Sequence, residues 1–311
     1  MISFRFHLVS VVAVFLALAI GILVGSTVID RAIVEGLRDR VEDVRENLRE
    51  RQLENDELSA RVEELEAFVG DGAALTVDGR LEGTVALVVT DAGVDREPVD
   101  RTIELLDEAG AAVRGVLTVR PEWRLTDEDR RLGVAEAVGL EASEPVEVLQ
   151  ARAAELLVAD ITSAVEVVDD GTGALDQIAE LQLVDFEVLE DVIVRRPSRV
   201  LVVVVSGPES DLEGSDHTEA FATAAADTVG AVVQAEVWAD QEDGPDRADS
   251  LAAVLGDPAL AARIATVDDL DLPMGPTTVV MALVAARAGE VGHFGVGDGA
   301  QAAAPPPPDD P

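Results

Sequence analysis

The chain contains no cysteine, no tyrosine and no lysine, and all 23 of its basic residues are arginine. Without cysteine there can be no disulfide, no thiolate metal site, no thiol redox chemistry and no acylated lipoprotein cysteine. Without tyrosine there is no phenol for acid catalysis. Histidine and methionine occur three times each, too few for a histidine-rich tract or a thioether cluster. Met274 and Met281 are seven residues apart, so they lack the close spacing of such a cluster. Positive charge is scarce: 62 acidic residues set the net charge at -39. That balance disfavours nucleic acid as a partner and disfavours close contact with anionic lipid outside an anchor. The acids are spread along the whole chain, as they are on a surface kept soluble by charge.

One long apolar run is present. Leu8 to Ile29 carries no charged residue, with Arg5 and His7 before it and Asp30 and Arg31 after it. As a helix it would span roughly 33 Å, enough for a bilayer core. A secretory signal has a shorter apolar region, about 7–15 residues, so length favours an anchor over cleavage at Val24-Gly25-Ser26. Positive flanks stay cytoplasmic. The expected topology is therefore single-pass, with the N-terminus inside, the bulk extracytoplasmic, and lipid as a first partner.

Behind the run lies a heptad. Val34, Val41, Leu48, Asn55, Val62 and Val69 fall at a, and Leu37, Val44, Leu58 and Leu65 fall at d with Arg51. Valine-rich a with leucine-rich d predicts a parallel two-stranded stalk, and Asn55 is the polar type that fixes register. One amphipathic helix packed on its own domain is the alternative. The stalk is expected to end at Gly70-Asp71-Gly72.

From there the pattern alternates between valine runs and helices. Strands are predicted at 85–90, 113–119, 200–205 and 232–238. Helices are predicted at 97–109, 126–138 with Thr126 as cap, 145–167, 174–194, 219–229, 248–255, 259–265 and 277–288. Continuous apolar strands alternating with helices mean a mainly parallel sheet covered on both faces. The predicted organisation is a transmembrane anchor over 1–30 and a coiled-coil stalk over 31–70. An α/β domain follows over 71–299, with a helical insertion at about 140–195, and then a disordered Ala/Pro-rich tail over 300–311.

No GxSxG, P-loop or HExxH motif occurs. No catalytic residue is assigned and the chain is read as non-enzymatic. A ligand of such a sheet would sit at the carboxyl edge of its strands, at a switch point. Asp91, Ser206, Asp268 and Asp269 are the candidates there, with loop capping as the ordinary alternative. His217, in an acidic stretch, and His293, between glycines, are the only candidate metal ligands outside the membrane boundary.

Both ends carry a resemblance. Met1-Ile2-Ser3-Phe4-Arg5-Phe6-His7-Leu8-Val9-Ser10 begins the chain. Thr266-Val267-Asp268-Asp269-Leu270-Asp271, Gly275, Gly292-His293-Phe294-Gly295 and Gly299-Ala300 lie near its end. Together with the order of anchor, heptad and α/β domain, these resemble the actinobacterial MctB family of copper transport outer membrane proteins. Phe294 departs from the tyrosine expected after the Gly-His pair. The resemblance implies copper homeostasis, with copper as the transported species and no other cofactor evident. It also implies outer-membrane association, or partnership with a membrane system that controls cell-wall hydrolysis during cell separation. From the residues alone, the expected partners are a second copy of the chain and another envelope protein.

Overall fold

The computed structural model describes residues 4–163, 173–189, 200–207, 210–212, 216–229, 231–237, 250–297 and 299–306. Two units are distinguished, Met1–Leu65 and Glu66–Pro311.

A single helix, α1 (Phe4–Val77), begins the chain. No proline precedes Pro98, so nothing in its sequence forces a break. Phe6–Gly25 is long and apolar enough to cross a membrane, with mean hydropathy 2.9 and none of the stretch buried. Arg5, Ile29, Val34 and Leu37 are described in backbone only. Val41, Val44, Leu48, Leu58, Val62, Leu65 and Val69 are all exposed along α1, as is Asn55. The break expected at Gly70–Gly72 is absent. Helix persists because the turns after it bury Ala73 and Val77 in the core, which outweighs the roughly 1 kcal/mol cost of each helical glycine.

Among the described residues the α/β unit is built on a sheet of seven strands. They are β1 (Val85–Asp91), β2 (Ala112–Val119), β3 (Val184–Val188), β4 (Val200–Ser206), β5 (Ala231–Glu236), β6 (Ala265–Val267) and β7 (His293–Phe294). Their order is β3-β2-β1-β4-β5-β6-β7. Every pair is parallel except β2 with β3. The connecting helices are α2 (Arg96–Glu108), α3 (Glu128–Val138), α4 (Val146–Ser163), α5 (Ala174–Glu180), α6 (Asp216–Thr228), α7 (Ser250–Gly256), α8 (Pro258–Ala261) and α9 (Gly275–Ala288).

Alternate side chains of one strand enter opposite layers. Leu87 and Val89 join Leu117, Val202, Val204, Trp123, Leu157 and Phe221 on one face. Ala86 and Val88 join Val116, Val203, Val205, Leu106, Val280 and Leu283 on the other. The mainly parallel sheet with helices on both faces is the predicted fold class.

Several boundaries differ from those expected. Of the helix predicted over 174–194, the described residues form α5 and then β3, because Gln182 turns the chain at φ 60 and the following residues pair back along β2; residues 190–194 lie outside the described residues. Gly115 of β2 permits this, since a Cβ there would lie 2.8 Å from the Phe186 ring. The helix predicted over 259–265 is only α8, and Ala265 already belongs to β6. The cap of α3 is Asp127, accepting from Arg130 N–H, and not Thr126. The tail expected to be disordered is hydrogen-bonded at its start: Gln301 N–H donates to the His293 carbonyl at 2.7 Å and Gly295 N–H to the Ala302 carbonyl at 3.0 Å. Residues 307–311 of that tail lie outside the described residues.

Candidate functional site

The chain leaves β1 toward β2 on one side and returns as β4 on the other. The carboxyl ends of β1 and β4 are therefore the switch point, where sheets of this kind bind ligands. Asp91 ends β1 and Ser206 ends β4, and the two strands run in register from Val85↔Val200 to Thr90↔Val205. Sequence reasoning placed both residues at this edge, and the structure puts them there.

Ser210–Leu212 and His217 lie against this edge. Ser210 Oγ donates to Asp91 Oδ2 at 3.0 Å. His217, in the first turn of α6, brings Nε2 to 3.0 Å from the same oxygen. Asp211 N–H donates to the Ala92 carbonyl at 2.7 Å, and Leu212 N–H donates to Ser210 Oγ at 3.1 Å. Asp91 and His217 are both buried. His217, a candidate metal ligand by its acidic stretch of sequence, is thus a buried partner of a carboxylate. Its replacement would leave a buried carboxylate one hydrogen bond short. His217→Ala is expected to lower unfolding free energy by about 2 kcal/mol, read from the urea midpoint at constant m-value.

The other two predicted acids follow β6. Counting strands, Asp91 and Asp268 are three spacings apart, roughly 14 Å, so the four edge candidates form two groups and not one site. Asp268 is a loop anchor: its carboxylate accepts from Val296 N–H at 2.9 Å and from Gly297 N–H at 3.0 Å. Gly295 makes room for it, at φ 131, where a Cβ would collide with Asp268 Oδ1.

Asp269 has zero exposure, and among the described residues neither of its oxygens has a hydrogen-bond partner from another residue. Burial, then the nearby charges of Asp268 and Asp271, push its pKa up to about 6. Glu236, at the end of β5, is buried beside this turn and its carbonyl accepts from Leu270 N–H at 3.0 Å. Sequence reasoning did not select Glu236, although an acid ending the otherwise uncharged run Ala231–Ala235 was a signal for it.

His293 lies in β7 opposite Thr266, with Nδ1 3.1 Å from Thr266 Oγ1. Burial lowers its pKa. It is an edge-strand residue and not part of an open glycine loop. The segments Thr266–Asp271 and Gly292–Gly295 are thus one structure, β6 zipped to β7. Phe294 is buried in the core and its ring covers Gly292, so this position is filled by a ring without a hydroxyl.

Two grooves remain. One, of about 380 Å³, runs between α4 and α6, with Glu147, Glu155, Glu219 and Asp227 around Ala151, Ala220, Thr223 and Ala224. Another of about 380 Å³ lies between the last turns of α1, the first turns of α9 and the tail residues Ala304 and Pro305, and is mostly apolar, with Met274 and Met281 in its wall. Among the described residues no group of three or more His, Asp or Glu is placed to hold a metal ion.

The sequence was compared with known proteins. The family model described as "Copper transport outer membrane protein, MctB" matches residues 1–305. "Copper transporter MctB" of Mycobacterium bovis (strain ATCC BAA-935 / AF2122/97) is 27% identical over 323 residues, covering 96% of this chain and 98% of that protein. The proteins of the same name from Mycobacterium tuberculosis strains CDC 1551 / Oshkosh and ATCC 25618 / H37Rv match to the same extent. The match takes in the apolar helix, the heptad, the sheet and the zipped β6–β7 edge alike, and the chain belongs to the MctB family of copper transport outer membrane proteins.

Proposed function

We propose that the chain serves copper transport or tolerance at the cell envelope. In this reading Phe6–Gly25 holds it in a membrane, with its N-terminus cytoplasmic and its α/β unit outside. The family match over residues 1–305 carries the copper assignment, and copper enters as cargo and not as a resident cofactor. The donor chemistry constrains how one chain could take part. Copper(I) prefers thiolate and thioether, and copper(II) prefers imidazole with carboxylate. His217 and His293 already have partners in Asp91 and Thr266. A single chain therefore acts as a component of the copper system and not as a tight copper store or an enzyme. The full-length protein in detergent, titrated with Cu(I) and with Cu(II) against a chelator, is expected to show no tight stoichiometric site. A deletion strain is expected to be copper-sensitive, and unchanged copper tolerance would overturn the assignment.

A second reading is favoured by the exposed apolar stripe along α1 and the acid-rimmed groove between α4 and α6. In it the chain is a dimeric scaffold that binds a basic segment of another envelope protein and so regulates cell-wall hydrolysis or cell separation. A deletion strain with normal copper tolerance but chained, unseparated cells would select this reading.

A further inference from the structure

Beyond β7 the chain turns and runs beside its own strand. Asp268 accepts from Val296 and Gly297 N–H, and Ala300 N–H donates to the Gly297 carbonyl at 3.1 Å. This turn, with Gly299 at φ 99, lays the tail along β7, the last strand of the sheet. Ala302 bridges Phe294 in parallel. Gln301 N–H donates to the His293 carbonyl, Gly295 N–H to the Ala302 carbonyl, and His293 N–H to Gln301 Oε1 at 3.5 Å. Three residues beyond Ala302, Pro305 is buried. With Ala304 it lines the apolar groove that also holds Phe68, Ala73, Met274 and Met281. Proline has no N–H to leave unpaired, so it enters an apolar groove without a lost donor.

The hold is slight. Gln301 to Ala304 and Pro306 are exposed, so Pro305 is the one buried side chain of the tail among the described residues. A segment with few buried contacts, bonded at a sheet edge, opens locally at low cost. What it covers is adhesive: a bare sheet edge pairs with extended peptide. The groove beside that edge is apolar, and Phe68 is 76% exposed even with the tail in place.

We propose that β7 and this groove form one seat for an extended peptide, and that the tail fills it in cis as a releasable strap. The peptide adds parallel to β7 through main-chain hydrogen bonds. A proline three positions after the paired residue enters between the end of α1 and the start of α9. The tether holds the tail at an effective concentration of about 1 mM, so a seat that binds the free peptide at about 100 μM is closed about tenfold by the chain's own tail.

A fluorescein-labelled peptide of residues 299–306 probes the seat by fluorescence anisotropy, with the protein in detergent. The chain shortened to residues 1–300 is expected to bind it saturably, and the full-length chain about tenfold more weakly. Pro305→Asp in the full-length chain spoils the apolar end of the strap and is expected to bind the unaltered peptide more tightly than the parent does. This variant carries the test if the shortened chain does not fold. In the peptide, Pro305→Asp is expected to abolish binding to the opened chains. Gln301→Pro removes the N–H given to His293 and is expected to weaken binding about fivefold. No saturable binding to either opened chain, or equal binding to the opened and parent chains, would overturn the proposal. Binding that neither peptide substitution weakens would come from elsewhere on the surface and would overturn it too.

Discussion

Replacing Asp269 by asparagine is expected to stabilise the α/β unit at pH 8 and to leave its stability nearly unchanged at pH 4. The carboxyl has no exposure, and its pKa lies at about 6 against an ordinary 3.8. The charged faces around it belong to Asp268 and Asp271, and both push the same way. Well below pH 3.8 the group is protonated whether the chain is folded or unfolded and contributes no difference, and at pH 4 the difference is still small. Between pH 4 and pH 6 the folded state holds the proton that the unfolded state has released, so stability falls as pH rises. Above pH 6 the whole penalty is present. A shift of about two pKa units corresponds to about 3 kcal/mol, which is the upper bound on the gain from Asp269→Asn at pH 8. The remaining acids, net charge -39, give both proteins a similar background, so the difference between them isolates this group. Urea unfolding at pH 4 and pH 8 measures it. An equal difference at the two pH values would mean that Asp269 does not carry a buried charge.

The same acid shows how far the sequence could be read. The four valine runs at β1, β2, β4 and β5 were visible because fully buried strands need no alternation. Three strands were not. β3 reads Val184-Asp185-Phe186-Glu187-Val188 within a stretch whose apolar residues also fit a helix, and only its pairing with β2 decides between them. β6 has three residues and β7 has two, too few to show any period. Asp91 and Ser206 could be placed at a strand edge because each ends a legible strand. The partnership of Asp91 with His217 could not, since 126 residues separate them and no local pattern links them. The need for Gly292 and Gly295 lies in what their missing side chains would strike, the Phe294 ring and the Asp268 carboxylate. A turn signal alone marks such glycines without explaining them.

Gly275→Ala is expected to destabilise the unit by about 3 kcal/mol, the upper range for forcing atoms into a packed site. After β6 the chain folds back through Asp269–Met274, where Leu272 N–H donates to the Asp269 carbonyl at 3.0 Å and Gly275 N–H to the Leu272 carbonyl at 2.8 Å. This turn sets the first residue of α9 directly on the backbone of β6's extension. An added Cβ would overlap the Asp269 carbonyl oxygen and lie 2.6 Å from Leu270 Cα. These are backbone atoms, and Leu270 is itself held by its N–H to Glu236, so no side-chain rotation can relieve the overlap. Relief requires α9 to move. Val279, Val280, Ala282 and Leu283 of α9 are fully buried against the sheet, and such a shift opens space along the whole helix. Gly256, at the end of α7, is the control: its Cβ would meet nothing within 4 Å, and Gly256→Ala should stay within about 0.5 kcal/mol of the parent. Urea midpoints of the two variants decide the matter. Equal midpoints would show that α9 yields at its first turn without cost, and that the glycine opening this helix is not required by the packing beneath it.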